Sequence, residues 1–439
     1  MFYNQLLEKC ILPLADIVRN TSFIKWLNYW RAIQNLTETE LAALQSKKLQ
    51  RILKHVTLNI PRYAILKNKT ELNLKDFPII HKLEIKHQID RFMWHPNQKH
   101  KLVCERSSGS SGIQGTIYMS KEEQSKVIAL QTLLWEWTGY KLGTPMLQTG
   151  MSPNRSAIKR LKDITFNIQY EAAFDLQDEA ILKVLSALNN KNTVILGGYA
   201  SSLYVYAQVA EKFNLRVQFK SVISWGDKLF DHYRQKIETV FTCNVFDIYG
   251  TTEGFVVSGQ YDLPYQYIIT PQSYVELLDK EGNEVADGEI GHVVITHLDN
   301  YEMPLIRYYL GDLAIKLPIA KYPKNKKLNF PLFQKIIGRD TDIVITPKGN
   351  KMIVHFFTAI IEHIPQIKQF RVVQKNKEGI TIEYIPDDEC EFDERVLFNI
   401  KDKIHAALNE QIEIQFTQVA SIPNSPSGKP QLIVSTITN

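Results

Sequence analysis

Apolar residues recur at helical spacing in the first 60 positions. Leu41, Leu44, Leu49, Ile52, Leu53 and Val56 follow a period near 3.6, and Pro61 ends the run. The aromatic residues Trp26, Trp30, Tyr63 and Trp94 are read as packing. From position 100 to 300 the texture changes. Short apolar runs at 194–196, 222–223 and 245–248 alternate with amphipathic helices, one of them marked by Leu203, Tyr206, Val209, Ala210 and Phe213. Strand, helix, strand, helix predicts a largely parallel α/β sheet. After Tyr274 the strands crowd together, with turns at Glu281-Gly282-Asn283 and Asp287-Gly288. Residues 316–334 read as loop, with a solvated basic cluster at Lys324, Lys326 and Lys327. Beyond Gly338, two strands (370–374, 380–385), a helix carrying Val396, Leu397, Ile400, Ile404 and Leu408, and a strand at 412–416 predict a second α+β domain.

Composition narrows the class. Hydrophobic residues make up 44% and charged residues 23% of 439, which excludes a disordered chain. Basic residues exceed acidic ones by 52 to 47, a balance of +5 that predicts no nucleic-acid footprint and no polybasic membrane surface. Cys10, Cys104, Cys243 and Cys390 form no C-x-x-C pair, so they are expected as reduced structural thiols. The N-terminus lacks the basic and apolar regions of a signal peptide, and no run of ~18 apolar residues exists to span a membrane. A cytoplasmic protein with no integral membrane segment is the expectation.

Five segments carry candidate chemistry. The first is Ser107-Ser108-Gly109-Ser110-Ser111-Gly112, running on to Gly115-Thr116. Small hydroxyl residues and glycines let successive backbone N–H groups converge on an anion. The flanks 102–106 and 116–119 read as strands, and Ser120 with Glu123 reads as a capping box that opens a helix. A hairpin loop results, either a phosphate cradle or an ordinary solvent loop. It is not a Walker A loop, because G-x-x-x-x-G-K-[ST] is absent.

The second segment, Tyr249-Gly250-Thr251-Thr252-Glu253-Gly254, ends an apolar strand, where ligands bind in open α/β sheets. The threonine hydroxyls could bond phosphate oxygens and Glu253 could hold Mg²⁺ on a polyphosphate; a plain strand-ending turn reads equally well. In the third, Arg307-Tyr308-Tyr309-Leu310-Gly311-Asp312, the carboxylate could accept two hydroxyls of a ribose, or Arg307 and Asp312 could simply pair. The fourth is Gly338-Arg339-Asp340-Thr341-Asp342. The fifth is Ser427-Gly428-Lys429-Pro430, where a lone lysine would ordinarily be solvated.

In this order the five segments resemble the adenylate-forming (AMP-forming, acyl-activating) superfamily. Within it the chain looks most like the phenylacetate–CoA ligase branch and its CapK-like relatives, associated with surface polysaccharide synthesis. Asn59-Ile60-Pro61-Arg62-Tyr63, Gly198-Tyr199-Ala200-Ser201 and Gly428-Lys429-Pro430-Gln431-Leu432-Ile433-Val434-Ser435 support that branch, and the resemblance covers residues 40–437. Two features depart from the pattern. Thr341 stands where the family usually has an acidic or lysine hinge residue, and the phosphate loop lacks a Pro-Lys ending.

The resemblance implies an α/β fold: a large N-terminal domain (1–337) with mixed, largely parallel sheets, and a small mobile α+β domain (338–439) carrying Lys429. It implies ATP and Mg²⁺ as cofactors and CoA as a possible acceptor. Ser107, Ser108, Gly109, Ser110, Ser111, Gly112 and Thr252 would cradle phosphates, and Glu253 would hold Mg²⁺. Gly226, Asp227, Tyr249, Gly250 and Thr251 would line the nucleotide, with Asp312 on the ribose and Arg339 nearby. Lys429 would bridge the attacking carboxylate and the α-phosphate. The product would be an acyl-AMP passed to CoA. The alternatives are an amide ligase joining a carboxylate such as a sugar uronate to an amine, a silent nucleotide-binding relative, and a kinase or NTPase making ADP.

Overall fold

The computed structural model describes residues 2–106, 115–150, 155–173, 177–188, 193–229, 231–279, 281–337, 344–348, 351–352, 354–361, 364–387, 390, 392–408, 412–423 and 432–435. The chain divides into two compact units.

The first unit is drawn from Met1–Ser107, Gly115–Leu142 and Phe246–Gly338. Its helices start where the sequence supplies caps. Thr37 and Glu40 form a capping box ahead of helix Glu38–Asn59, and Ser120 and Glu123 form another ahead of Lys121–Trp137. Ile60 ends the first of these in extended backbone, just before Pro61. Helix Phe23–Ile33 lies against Lys121–Trp137. Trp30 is buried and its indole N–H donates to the Lys126 carbonyl at 3.0 Å, while Arg31 pairs with Glu136. Strands Val103–Arg106 and Thr116–Met119 form the expected antiparallel pair.

The unit's main sheet places Ser273–Leu278, Ile290–His297, Tyr308–Lys316, Leu332–Ile336, Gln266–Ile268, Val256–Gln260 and Val245–Gly250 side by side, each pairing antiparallel. One face buries Phe255, Val257, Ile295, Met303 and Phe333 against Phe92 and Ile117. The predicted loop 316–334 therefore ends early, because Leu332 and Phe333, both fully buried, enter the sheet. A backbone in that position must spend its N–H and C=O groups on a ladder.

The second unit includes Gly143–Val245 and Arg339–Asn439. In the first of these segments Ile168–Ala172, Met146–Gly150, Ile195–Gly198 and Ser221–Trp225 lie parallel in that order. Helix Ala200–Lys212 joins the last two, burying Leu203, Val205, Tyr206 and Val209. Here the helix–strand alternation yields parallel strands, since a parallel pair needs a crossover long enough for a helix. The C-terminal segment has its own α+β core. Strands Glu413–Gln418, Gly379–Pro386, Ile367–Gln374 and Ile433–Ser435 form a sheet, with helices Val354–Ile361 and Arg395–Leu408. The chain is α/β with mixed sheets and a smaller α+β domain, as expected.

Candidate functional site

The chemistry-bearing residues of the first unit gather at the end of strand Val245–Gly250. The backbone N–H of Thr251 bonds the Phe255 carbonyl at 2.8 Å and that of Gly254 bonds the Thr251 carbonyl at 3.2 Å, closing a tight turn. Gly254 adopts φ +87°, which a glycine tolerates without steric cost.

Glu253 hangs from this turn, 7% exposed. Lys82 Nζ lies 3.2 Å from its Oε1, and the Tyr308 hydroxyl donates to the same oxygen at 3.3 Å. Burial pushes the Glu253 carboxyl up, but the Lys82 ammonium, the residue's own backbone N–H and the Thr251 hydroxyl outweigh it, so the carboxyl stays below the usual range and ionised. Burial and the Glu253 charge together push the Tyr308 phenol well up, which keeps it a donor. A buried, ionised carboxylate flanked by hydroxyls suits Mg²⁺ arriving on nucleotide phosphates, since that ion takes one or two protein carboxylates and phosphate oxygens.

Asp312 lies in the strand Tyr308–Lys316. Its Oδ2 accepts the Tyr249 hydroxyl at 2.7 Å. Arg307 does not pair with Asp312, the alternative that its sequence position suggests. It turns the other way, with Nε and Nη2 on the Glu276 carboxylate at 3.1 and 3.0 Å and Nη1 on the Phe77 carbonyl at 3.2 Å. Arg307 itself sits in left-handed backbone at φ +51°. The backbone also ties this corner to Ile80, whose N–H bonds the Arg307 carbonyl and whose carbonyl accepts the Tyr309 N–H, both at 3.0 Å. That tie delivers Lys82, two residues on, to Glu253. Nothing in the sequence around Lys82 marks it as a partner, because the pairing spans 171 positions (253 − 82).

Within the second unit, Asp227 caps the start of helix Ala200–Lys212. Its carboxylate accepts the Ala200 N–H and the Ser201 hydroxyl, both at 2.5 Å, and the Ser201 N–H at 3.2 Å. It thus satisfies helix donors that Tyr199 cannot cap. A Cβ on Gly226 would lie 2.3 Å from the Tyr199 ring, and φ there is +88°, so this position requires glycine. Ser107, Ser108, Gly109, Ser110, Ser111, Gly112, Arg339, Thr341 and Lys429 lie outside the described residues. Among the described residues no helix is long and apolar enough to cross a membrane.

Comparison with known proteins bears on this arrangement. Residues 344–436 match the family described as the CapK C-terminal domain. Phenylacetate-coenzyme A ligase of Pseudomonas putida is 31% identical over 160 residues, 35% of this chain and 33% of that protein, so the match spans a third of that relative's length. Among solved structures, 2-hydroxyisobutyryl-CoA ligase with 2-HIB-AMP and CoA in the thioesterification state overlays with a TM-score of 0.56 at 14% identity, covering 92% of this chain and 91% of that one. The same ligase in the postadenylation state with R3-HIB-AMP gives 0.55 at 14% identity, over 92% and 91%. The fold is that of the adenylate-forming CoA ligases. The narrower likeness that the five motifs carry, to the phenylacetate–CoA ligase and CapK-like branch, is borne out by the C-terminal family match and the P. putida relative.

Proposed function

We propose that this chain is an ATP-dependent ligase that activates a carboxylic acid as its acyl-adenylate, releases pyrophosphate and passes the acyl group to CoA. The observation that carries the reading is the ionised, nearly buried Glu253 on a turn beside the Asp312–Tyr249 pair, in a fold shared with a CoA ligase. The resemblance to CapK-like proteins supports a role in surface polysaccharide synthesis.

Two anions repel, so a carboxylate attacks ATP only if the site neutralises charge where it converges. Mg²⁺, when bound, draws charge from the leaving pyrophosphate. Glu253 would hold it, and the Thr252 hydroxyl with the 107–112 loop would donate to phosphate oxygens. Asp312 accepts the ribose hydroxyls, and the Tyr249 hydroxyl fixes which way its carboxylate faces. Lys429 would approach the α-phosphate and the attacking carboxylate together, stabilising charge present only in the transition state.

The test is chromatography of a purified reaction with ATP, Mg²⁺ and a panel of aryl acids, fatty acids, amino acids and uronates, with and without CoA. AMP, pyrophosphate and free acyl-CoA are expected. ADP in place of AMP, or no pyrophosphate with any acid, overturns the reading. Amide formation from an amine without acyl-CoA would reassign the acceptor.

A further inference from the structure

The turn that carries Thr252 and Glu253 is held from behind by a buried imidazole. His297, 2% exposed, closes strand Ile290–His297. Its Nδ1 lies 3.1 Å from both the Asp299 and the Asn300 backbone nitrogens. Both are N–H donors, so Nδ1 is an acceptor and carries no proton. The neutral ring therefore has its proton on Nε2, and that N–H donates to the Gly254 carbonyl at 3.2 Å. Gln272, 1% exposed, donates its side-chain N–H to the same carbonyl at 2.8 Å. Burial drives the imidazole down to about 4, so it stays neutral.

The same turn reaches a second element. Asn300 donates its side-chain N–H to the Tyr118 carbonyl at 3.1 Å, on the strand that follows the Gly/Ser loop in the chain. The Asn300 Oδ1 accepts the Met303 N–H at 2.9 Å, and the Tyr301 N–H donates to Glu123 at 2.6 Å. One buried bracket thus grips Gly254 with one end and Tyr118 with the other.

We infer that His297 is a positioning residue, which in its Nε2-protonated form sets the Gly254 carbonyl, and through it the placement of Thr252 and Glu253 against polyphosphate. The inference rests on the adenylation reading for its purpose, not for its geometry. His297 touches no substrate; it acts through one backbone carbonyl.

Two near-isosteric variants separate this role from simple packing. His297→Gln keeps a donor near the Nε2 position. His297→Asn keeps an acceptor near Nδ1, for the Asp299 and Asn300 N–H groups, and loses the donor to Gly254. Titrating the full-length chain with Mn²⁺–pyrophosphate, calorimetrically or by Mn²⁺ resonance, needs neither acid nor turnover. His297→Asn is expected to bind this probe about tenfold more weakly than wild type, the effect of losing one positioned hydrogen bond, and His297→Gln within about threefold of it. In turnover, His297→Asn should lower kcat with the KM for the acid unchanged, while the two variants unfold within a few degrees of each other, roughly the effect of 1 kcal/mol.

Equal probe affinity in both variants, or losses that simply track melting temperature, would overturn the inference. A wild type that forms no AMP with any acid defeats the adenylation reading, and the probe titration still decides the role of His297.

Discussion

Removing the Arg307 guanidinium should expose how much of this corner rests on one charge. Arg307 and Glu276 have side chains 8% and 6% exposed and meet through two hydrogen bonds of 3.0 and 3.1 Å. Arg307 also occupies left-handed backbone at φ +51°, an unfavourable conformation that surrounding bonds must hold. Arg307→Met keeps the bulk of the stem and leaves the Glu276 carboxylate buried without its partner, a loss of about 3–5 kcal/mol.

The loss should depend on pH in a definite sense. Burial already raises the Glu276 carboxyl above its ordinary value, and Arg307 is the main group opposing that rise. In the variant it rises further. A carboxyl whose folded value exceeds its unfolded value holds its proton better when folded, so stability is retained at low pH and lost as pH climbs through the folded value. The deficit of Arg307→Met against wild type should therefore be larger at pH 8 than at pH 5. Urea unfolding followed by tryptophan fluorescence and far-ultraviolet circular dichroism measures it. Glu276→Gln combined with Arg307→Met should recover much of the loss, because no buried charge remains. A deficit below about 1 kcal/mol at pH 8, or the same deficit at both pH values, would refute the reasoning.

Other outcomes are expected as well. Lys429→Ala should abolish acid-dependent ATP–pyrophosphate exchange while ready-made acyl-AMP still reaches its acceptor; equal loss of both half-reactions would count against the division of labour. Tyr249→Phe removes a donor 2.7 Å from Asp312 and should raise the KM for ATP about tenfold with little change in the KM for the acid, measured by steady-state kinetics. Gly254→Ala forces a side chain into φ +87°, with its Cβ 3.2 Å from the Met119 methyl, and should cost about 1–2 kcal/mol in urea unfolding. His297 is held at about 4 against about 6.5 in an unfolded chain. The unfolded form then binds the extra proton, so its contribution is complete above pH 6.5 and lost as pH falls towards 4, roughly 3 kcal/mol in all. His297→Asn should flatten that acid limb of the stability profile.

Local features of this fold were legible in the chain because their causes are local. Ser120 with Glu123 marks a helix start through two reciprocal bonds three residues apart, and the structure has it there. The flanking apolar runs of the Gly/Ser loop pair as a hairpin, the shortest connection available to them. Residues 194–248 alternate strand and helix as their periodicity predicts. Helix Val354–Ile361 escaped prediction because VHFFTAII is short and mostly apolar, with His355 and Thr358 its polar residues, too few positions for a period to distinguish helix from strand.

The tertiary structure decided everything that depends on partners distant in sequence. The order of the five motifs carried a resemblance to the adenylate-forming superfamily, because residue types and their order are visible in a sequence. It could not say that Arg307 answers Glu276 rather than Asp312, that Asp227 caps a helix start, or that Lys82 neutralises Glu253. Nor could it mark His297 as the support behind the Glu253 turn. Each of these is a charge or donor satisfied across tens to hundreds of residues, and a buried polar group takes whichever partner the packing brings within about 3 Å.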